Sequence, residues 1–174
     1  MAMKQSKTCE ESRVTMTEMV LPNDTNTLNN LMGGRLMHWM DIVSAIAAQK
    51  HSNCTVVTAS VDNISFTQPT QLGDVVTLKA FVTRSFKTSM EIYIEVISEN
   101  IPAGESEKTN SAFFTFVAVD QKGKPKKVAE LIPETDKEIE LFKGALRRRQ
   151  LRLVLANRMK PADAVEVRSL FMGE

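Results

Sequence analysis

The sequence predicts an α+β domain in which an antiparallel sheet wraps around one central helix, with a second helix appended at the C-terminus. Three observations carry this. A helix-like segment over residues 35–51 is apolar on every side: Leu36, Met37, Trp39, Met40, Ile42, Val43, Ala45, Ile46, Ala47 and Ala48 leave no wholly polar face. Such a helix needs cover on nearly all sides, from a curled sheet and from a partner subunit. Stretches rich in Val, Ile, Phe and Thr then follow it, broken at Gly73-Asp74 and at Lys122-Gly123. Beyond Pro133 a long charged helix begins with acids in its first turn.

Taken in order, residues 1–12 read as a loose polar arm and 13–20 as a first strand. Pro22-Asn23-Asp24 signals a turn, and polar loop continues through Asn30. Gly33-Gly34 opens the central helix. Strands are expected over 55–67, 74–85, 89–98 and 110–120; within the third of these, residues 91–97 alternate as a half-buried strand does. The last helix is expected over 134–157, with Arg147, Arg148, Arg149 and Arg152 toward its C-terminal end, where the helix dipole favours cations. The domain organisation is thus an arm (1–12), a central domain (13–132) and a helical extension (133–174).

Composition narrows the function classes. With 22 Lys and Arg against 21 Asp and Glu, the net charge of +1 gives no footprint for nucleic acid. No apolar run reaches the roughly 18 residues that a membrane span needs, and residues 1–13 lack the apolar core of a signal peptide. Cys9 and Cys54 have no metal-ligand spacing and imply no disulfide. A reducing cytoplasm is the expected compartment, with no metal and no resident cofactor.

The chemistry-bearing signals lie in and before the central helix. Asp41 is the one acid in that helix, and no Lys or Arg stands three or four residues away to pair with it. A buried, unpaired carboxylate is costly, so it either faces solvent or has functional partners. Gly34 lies seven residues earlier, on the same face. Glycine at a helix start lets a substrate approach the free N–H groups there, which suits them to a developing oxyanion; it also serves a tight turn. The Asn and Asp residues of the preceding loop are ordinary turn formers when taken singly.

Their order is more specific. The stretch LPNDTNTLNNLMGGRLMHWMD, from Leu21 to Asp41, resembles the signature of hotdog-fold acyl-CoA thioester hydrolases. The likeness continues through VDNISFTQPTQLGDVV (61–76) and AFFTFVAVD (112–120), and so spans about 13–120. The resemblance implies hydrolysis of acyl-CoA to a fatty acid and coenzyme A, with coenzyme A as part of substrate and product rather than a cofactor. Asp41 takes the place of the catalytic acid, acting as general base or nucleophile. Asn30 corresponds to the polar residue before Gly-Gly and is expected to face the partner subunit's acid. Gly34 supplies the oxyanion amide, with Gly33 beside it. The turn Lys87-Thr88-Ser89 matches a basic, hydroxyl-bearing turn along the coenzyme A groove, and Phe66 is a candidate for the acyl channel. The resemblance also implies a homodimer at least, and a hexamer built as a trimer of dimers.

Two residues depart from the family pattern: Met32, where many relatives carry His, and Ile42, where many carry Glu. Hydratases of the same superfamily pair a His with an acid. His38 and His51 are not placed for that and are read as surface or cap residues. The alternative function is a regulator that binds acyl-CoA without turning it over.

Overall fold

The computed structural model describes residues 5–62, 64 and 68–172. The chain forms two compact units, Met1–Ile132 and Pro133–Glu174. The first contains β1 (Ser6–Thr8), β2 (Val14–Met19), α1 (Gly33–Ser52), β3 (Thr55–Asp62), β4 (Val75–Ser85), β5 (Ser89–Asn100), β6 (Glu105–Val119) and β7 (Glu130–Ile132). Five strands make one antiparallel sheet in the order β2-β4-β5-β6-β3. Sequential strands β4, β5 and β6 form a meander, while β2 and β3 take the two edges.

Alternation along the strands builds the core. Val82, Ile92 and Phe114 stand opposite one another across β4, β5 and β6, as do Ala80, Ile94 and Ala112. These six side chains are almost wholly buried, and this face packs on α1. From the helix come Leu36, Trp39, Met40, Val43, Ala47 and Ala48, all buried. Register shifts at Thr58/Ser60, Val82/Arg84 and Val96/Ile97 bend the strands, which helps a sheet to curl around a helix.

The structure departs from the sequence reading in several places. The residues expected to form a loose arm are held in place from residue 5 onward. Ser6–Thr8 pairs in parallel with Glu130–Ile132, and Cys9 is buried. Ser12 Oγ donates to the Cys9 carbonyl (2.7 Å) and accepts from the Val82 N–H (2.9 Å). Three-residue strands are too short to carry a periodic pattern, so neither β1 nor β7 was visible. β6 begins at Glu105 rather than 110, because Glu105-Ser-Glu-Lys-Thr-Asn110 pairs with β5 through its backbone and carries no apolar signal. β3 spans Thr55–Asp62, and most of the remaining expected strand lies outside the described residues.

His51 is a further correction. It is 1% exposed in the last turn of α1, where Nε2 lies 3.0 Å from the Ala129 carbonyl oxygen. Residues 125–132 fold back across the sheet and cover it, which no local sequence signal foretells. Burial pushes its pKa below the ordinary value, and Lys7 adds to this, while the Ala129 carbonyl and Glu11 oppose it. A histidine held neutral in the fold contributes stability that is fully present above the unfolded-state pKa near 6.5 and is lost as pH falls below it. The melting temperature is therefore expected to fall more steeply between neutral pH and about pH 5 in wild type than in His51→Gln. Parallel slopes would show that His51 does not carry the linkage.

The second unit holds α2 (Asp136–Leu155) and α3 (Val165–Met172). A capping box starts α2: Thr135 Oγ1 accepts from the Glu138 N–H (3.3 Å), and Glu138 Oε2 accepts from the Thr135 N–H (3.1 Å). Gln150 Oε1 accepts the Glu166 N–H (2.8 Å) at the start of α3 and so fastens the two helices together. Among the described residues no helix is long and apolar enough to cross a membrane.

Candidate active site

The single chain buries only one side of α1. Met37, Ile42 and Ile46 are between 36% and 41% exposed, and Val57 and Val61 of edge strand β3 are also open to solvent. Asp41 sits on this open side, half-buried, seven residues from Gly34 and so on the same face. Thr58 Oγ1 on β3 donates to Asp41 Oδ1 at 2.7 Å. Among the described residues no other donor reaches the carboxylate, which leaves Oδ2 available. Sequence reasoning missed Thr58, because an exposed threonine in a strand is ordinary and its approach to Asp41 exists only once β3 runs beside α1.

At the helix start, the Met32 carbonyl accepts the N–H groups of Arg35 (2.9 Å) and Leu36 (3.1 Å), and no side chain caps the helix. The N–H groups of Gly33 and Gly34 therefore precede the helical ladder. Gly34 does not have a positive φ, and a Cβ built there meets nothing within 4 Å. Neither strain nor crowding within this chain calls for glycine at that position. A cavity of about 340 Å³ adjoins the helix start, lined in part by Leu31, Gly33, Leu36, Pro69, Thr70 and Asn110.

The preceding loop is locked by Asp24, which is buried. Its Oδ2 accepts the Leu21 N–H (3.0 Å), its Oδ1 accepts Arg35 Nε (2.5 Å), and its carbonyl accepts the Met32 N–H (2.9 Å). Burial alone would raise the pKa of this acid. The Leu21 N–H and the Arg35 guanidinium outweigh that and hold it below the usual value, so the anchor stays ionised at neutral pH. Within the loop, Asn26 Oδ1 accepts the N–H groups of Leu28 (2.9 Å) and Asn30 (3.2 Å). Asn29 adopts a left-handed conformation at φ 57°. Asn26 itself is exposed. Asn30 is half-buried, with its backbone bridged to Gln71. Among the described residues no hydrogen bond joins Asn26 or Asn30 to Asp41 of the same chain.

The remaining candidates are less closely gathered. Lys87 is exposed, Thr88 half-buried and Ser89 buried in the turn between β4 and β5, where the Phe86 N–H meets the Ser89 carbonyl (2.8 Å). Phe66 lies outside the described residues. No group of three His, Cys, Asp or Glu side chains suited to a metal ion occurs among the described residues.

A curled antiparallel sheet around one long helix defines a hotdog fold. Comparison with known proteins agrees. Residues 28–104 match the Thioesterase superfamily. An uncharacterized acyl-CoA thioester hydrolase of Bacillus subtilis (strain 168) is 41% identical over 144 residues, 83% of this chain and 84% of that protein. An apo-hexameric acyl-CoA thioesterase of known structure is 42% identical, with a TM-score of 0.85 over 88% of this chain and 98% of that one. The acyl-CoA hydrolase of Staphylococcus aureus, solved with butyryl coenzyme A, coenzyme A and coenzyme A disulfide, is 33% identical, with a TM-score of 0.81 over 88% of this chain and 95% of that one. The chain belongs to the hotdog-fold acyl-CoA thioester hydrolases.

The Staphylococcus aureus enzyme has also been solved as alanine variants of an asparagine, an aspartate and a threonine. By its numbering the aspartate follows the asparagine by 15 residues and precedes the threonine by 17.

Proposed function

We propose that this chain hydrolyses acyl-CoA thioesters to a free carboxylic acid and coenzyme A, with Asp41 as its central catalytic residue. The observation that carries this reading is the Thr58–Asp41 hydrogen bond on the open face of α1, in line with the helix-start amide of Gly34. One carboxylate oxygen is held and the other is open. Through it Asp41 either takes a proton from water or attacks the thioester carbon itself; both routes need the ionised carboxylate. In the first, a bond forms between water oxygen and carbonyl carbon, the oxyanion rests on the Gly34 N–H, and collapse breaks the carbon–sulfur bond. The thiolate of coenzyme A leaves and is protonated.

The amide-bearing partner lies in the loop before α1. Asn26 and Thr58 stand at the same spacings from Asp41, 15 and 17 residues, as the varied asparagine and threonine of the Staphylococcus aureus enzyme do from its aspartate. That favours Asn26 for the direct polar contact. Asn30, whose N–H is bound by Asn26 Oδ1, then sets the loop's shape. Gly33 and the turn Lys87-Thr88-Ser89 complete the proposed binding surface.

The absence of a hydrogen bond from either asparagine to Asp41 in one chain supports a site shared between two subunits. The open apolar positions on α1 and β3 supply the surface for a second copy, and a hexamer follows the assembly named for the apo-hexameric relative.

The test is release of free thiol from a panel of short to long acyl-CoA esters. Asp41→Ala and Asn26→Ala are expected to be nearly inactive alone. Unfolded and refolded together, they are expected to recover about a quarter of wild-type activity, because half of the random dimers carry one intact site of two. No recovery would place both residues in one subunit. A folded wild type that binds acyl-CoA and releases no thiol from any ester would overturn the hydrolase reading in favour of a binding regulator.

A further inference from the structure

A polar cleft of about 420 Å³ is lined in part by Pro69, Asp74, Ser98, Asn100, Glu105 and Glu107. Strand register places it. Val96 on β5 stands opposite Asn110 on β6, Ser98 opposite Glu107 and Asn100 opposite Glu105. Side chains two residues apart on a strand share a face. Ser98 and Asn100 therefore continue the row of Ile92, Ile94 and Val96, on the face that packs on α1. This row turns from apolar to polar after Val96, and Asn110 marks the change. Asn110 lines the cavity at the helix start, and that cavity shares Pro69 with the polar cleft.

The cleft carries one sign of charge. Asp74, Glu105 and Glu107 line it, and no Lys, Arg or His does. Glu105 and Glu107 are exposed and, among the described residues, make no ion pair. Asp74 is buried; its Oδ2 accepts the Gln71 N–H (2.8 Å) and its Oδ1 accepts from Asn100 Nδ2 (3.0 Å), both neutral donors. A concave surface of one sign concentrates ions of the other. Among the described residues no three acids are grouped closely enough for a metal ion, so the charge suits a larger, organic cation.

A second observation is independent of the carboxylates. Ser98 is 9% exposed and lines the cleft, yet its hydroxyl has no hydrogen-bond partner among the described residues. Leaving a buried hydroxyl unpaired is costly, and one that faces a cleft is satisfied by what enters there. Of the two ends of an acyl-CoA ester, the phosphates of coenzyme A would be repelled by three carboxylates. The cleft is therefore open to the acyl end. From Asn110 to Glu107 is three residues of strand, about 10 Å, a reach that takes an acyl chain of medium length.

We infer that the cleft of Asp74, Ser98, Glu105 and Glu107 receives the far end of the acyl group and favours one that ends in an ammonium. The carboxylates supply the charge, and Ser98 Oγ accepts a hydrogen bond from the ammonium. This rests on the hydrolase reading above.

The experiment compares 6-aminohexanoyl-CoA with heptanoyl-CoA, which differ only in ammonium for methyl at the chain end. In wild type, kcat/KM for the amino ester is expected to exceed that for the alkyl ester about tenfold, the combined effect of a few modest ion contacts. Added salt should shrink this ratio. Glu105→Gln with Glu107→Gln should bring it close to one, and Glu105→Lys with Glu107→Lys should reverse it. Ser98→Ala should lower it while leaving its salt dependence in place. Each ratio compares two esters on one preparation, so a variant that folds in low yield still reports it. A wild-type ratio at or below one overturns the inference, and so does a glutamine variant that keeps the wild-type preference. If wild type hydrolyses no thioester at all, the hydrolase reading fails. The cleft is then judged by calorimetric titration with the same two esters, where equal affinity in wild type overturns it.

Discussion

Replacing Asp41 with alanine is expected to lower kcat by about 10²–10⁴-fold, the range supplied by a positioned acid–base group, and to leave the fold intact. The two halves of this expectation come from different features. Asp41 is half-buried, and among the described residues its one polar contact is the hydroxyl of Thr58, itself exposed. Removing it strands no buried partner, so the change in unfolding free energy should stay within about 0.5 kcal/mol. In the proposed mechanism, activity depends instead on a carboxylate with one oxygen held and one free. Thr58→Ala keeps the carboxylate and loses only the positioning bond, so its cost should be smaller, and it should fall on kcat more than on KM. Thiol-release kinetics and thermal melts on the same preparations test both. An Asp41→Ala enzyme with more than a tenth of wild-type turnover, or one that unfolds at assay temperature, would move the chemistry elsewhere or show that the residue is structural.

The contrast between Asp41 and Thr58 also marks how far the sequence could be read. Asp41 was legible because an acid without a charge partner in an otherwise apolar helix breaks a strong local pattern. Gly34 was legible from its spacing, and the order of the loop, Gly-Gly and acid carried the family resemblance. Thr58 and Asn26 were not legible, because threonine in a strand and asparagine in a turn are what local propensity supplies anyway. Their proposed roles come from juxtaposition: β3 running beside α1, and an asparagine oxygen tying down the backbone of Asn30. The same distinction holds for the fold. The meander and α1 followed from periodicity, whereas β1, β7 and the burial of His51 depend on pairing between segments more than a hundred residues apart or nearly eighty.

The largest stability effect is expected at Phe114. It is 1% exposed at the centre of the inner sheet face, opposite Ile92 on β5 and Val61 on β3. Of the neighbouring inner positions, Ala112 is too small to fill a gap, and Phe116 is itself almost wholly buried within the packed core. α1 presses on this face with Met40 and Val43, both without exposed area, and a 20-residue helix packed along a sheet moves only as a body. A cavity left by Phe114→Ala therefore should not collapse. The cost is expected to be about 3–5 kcal/mol, against less than about 1.5 kcal/mol for the more nearly volume-conserving Phe114→Leu. Urea unfolding at fixed protein concentration measures both, since any subunit association contributes to apparent stability. The alanine variant should unfold at lower urea with an unchanged m-value, because the surface exposed on unfolding stays the same. A loss below about 1.5 kcal/mol for alanine would mean that α1 can shift toward the sheet. Because Asp41 rides on that helix and Thr58 on the sheet, such a shift should also disturb the Thr58 contact and lower turnover. A small stability loss with full activity would contradict the packing described here on both counts.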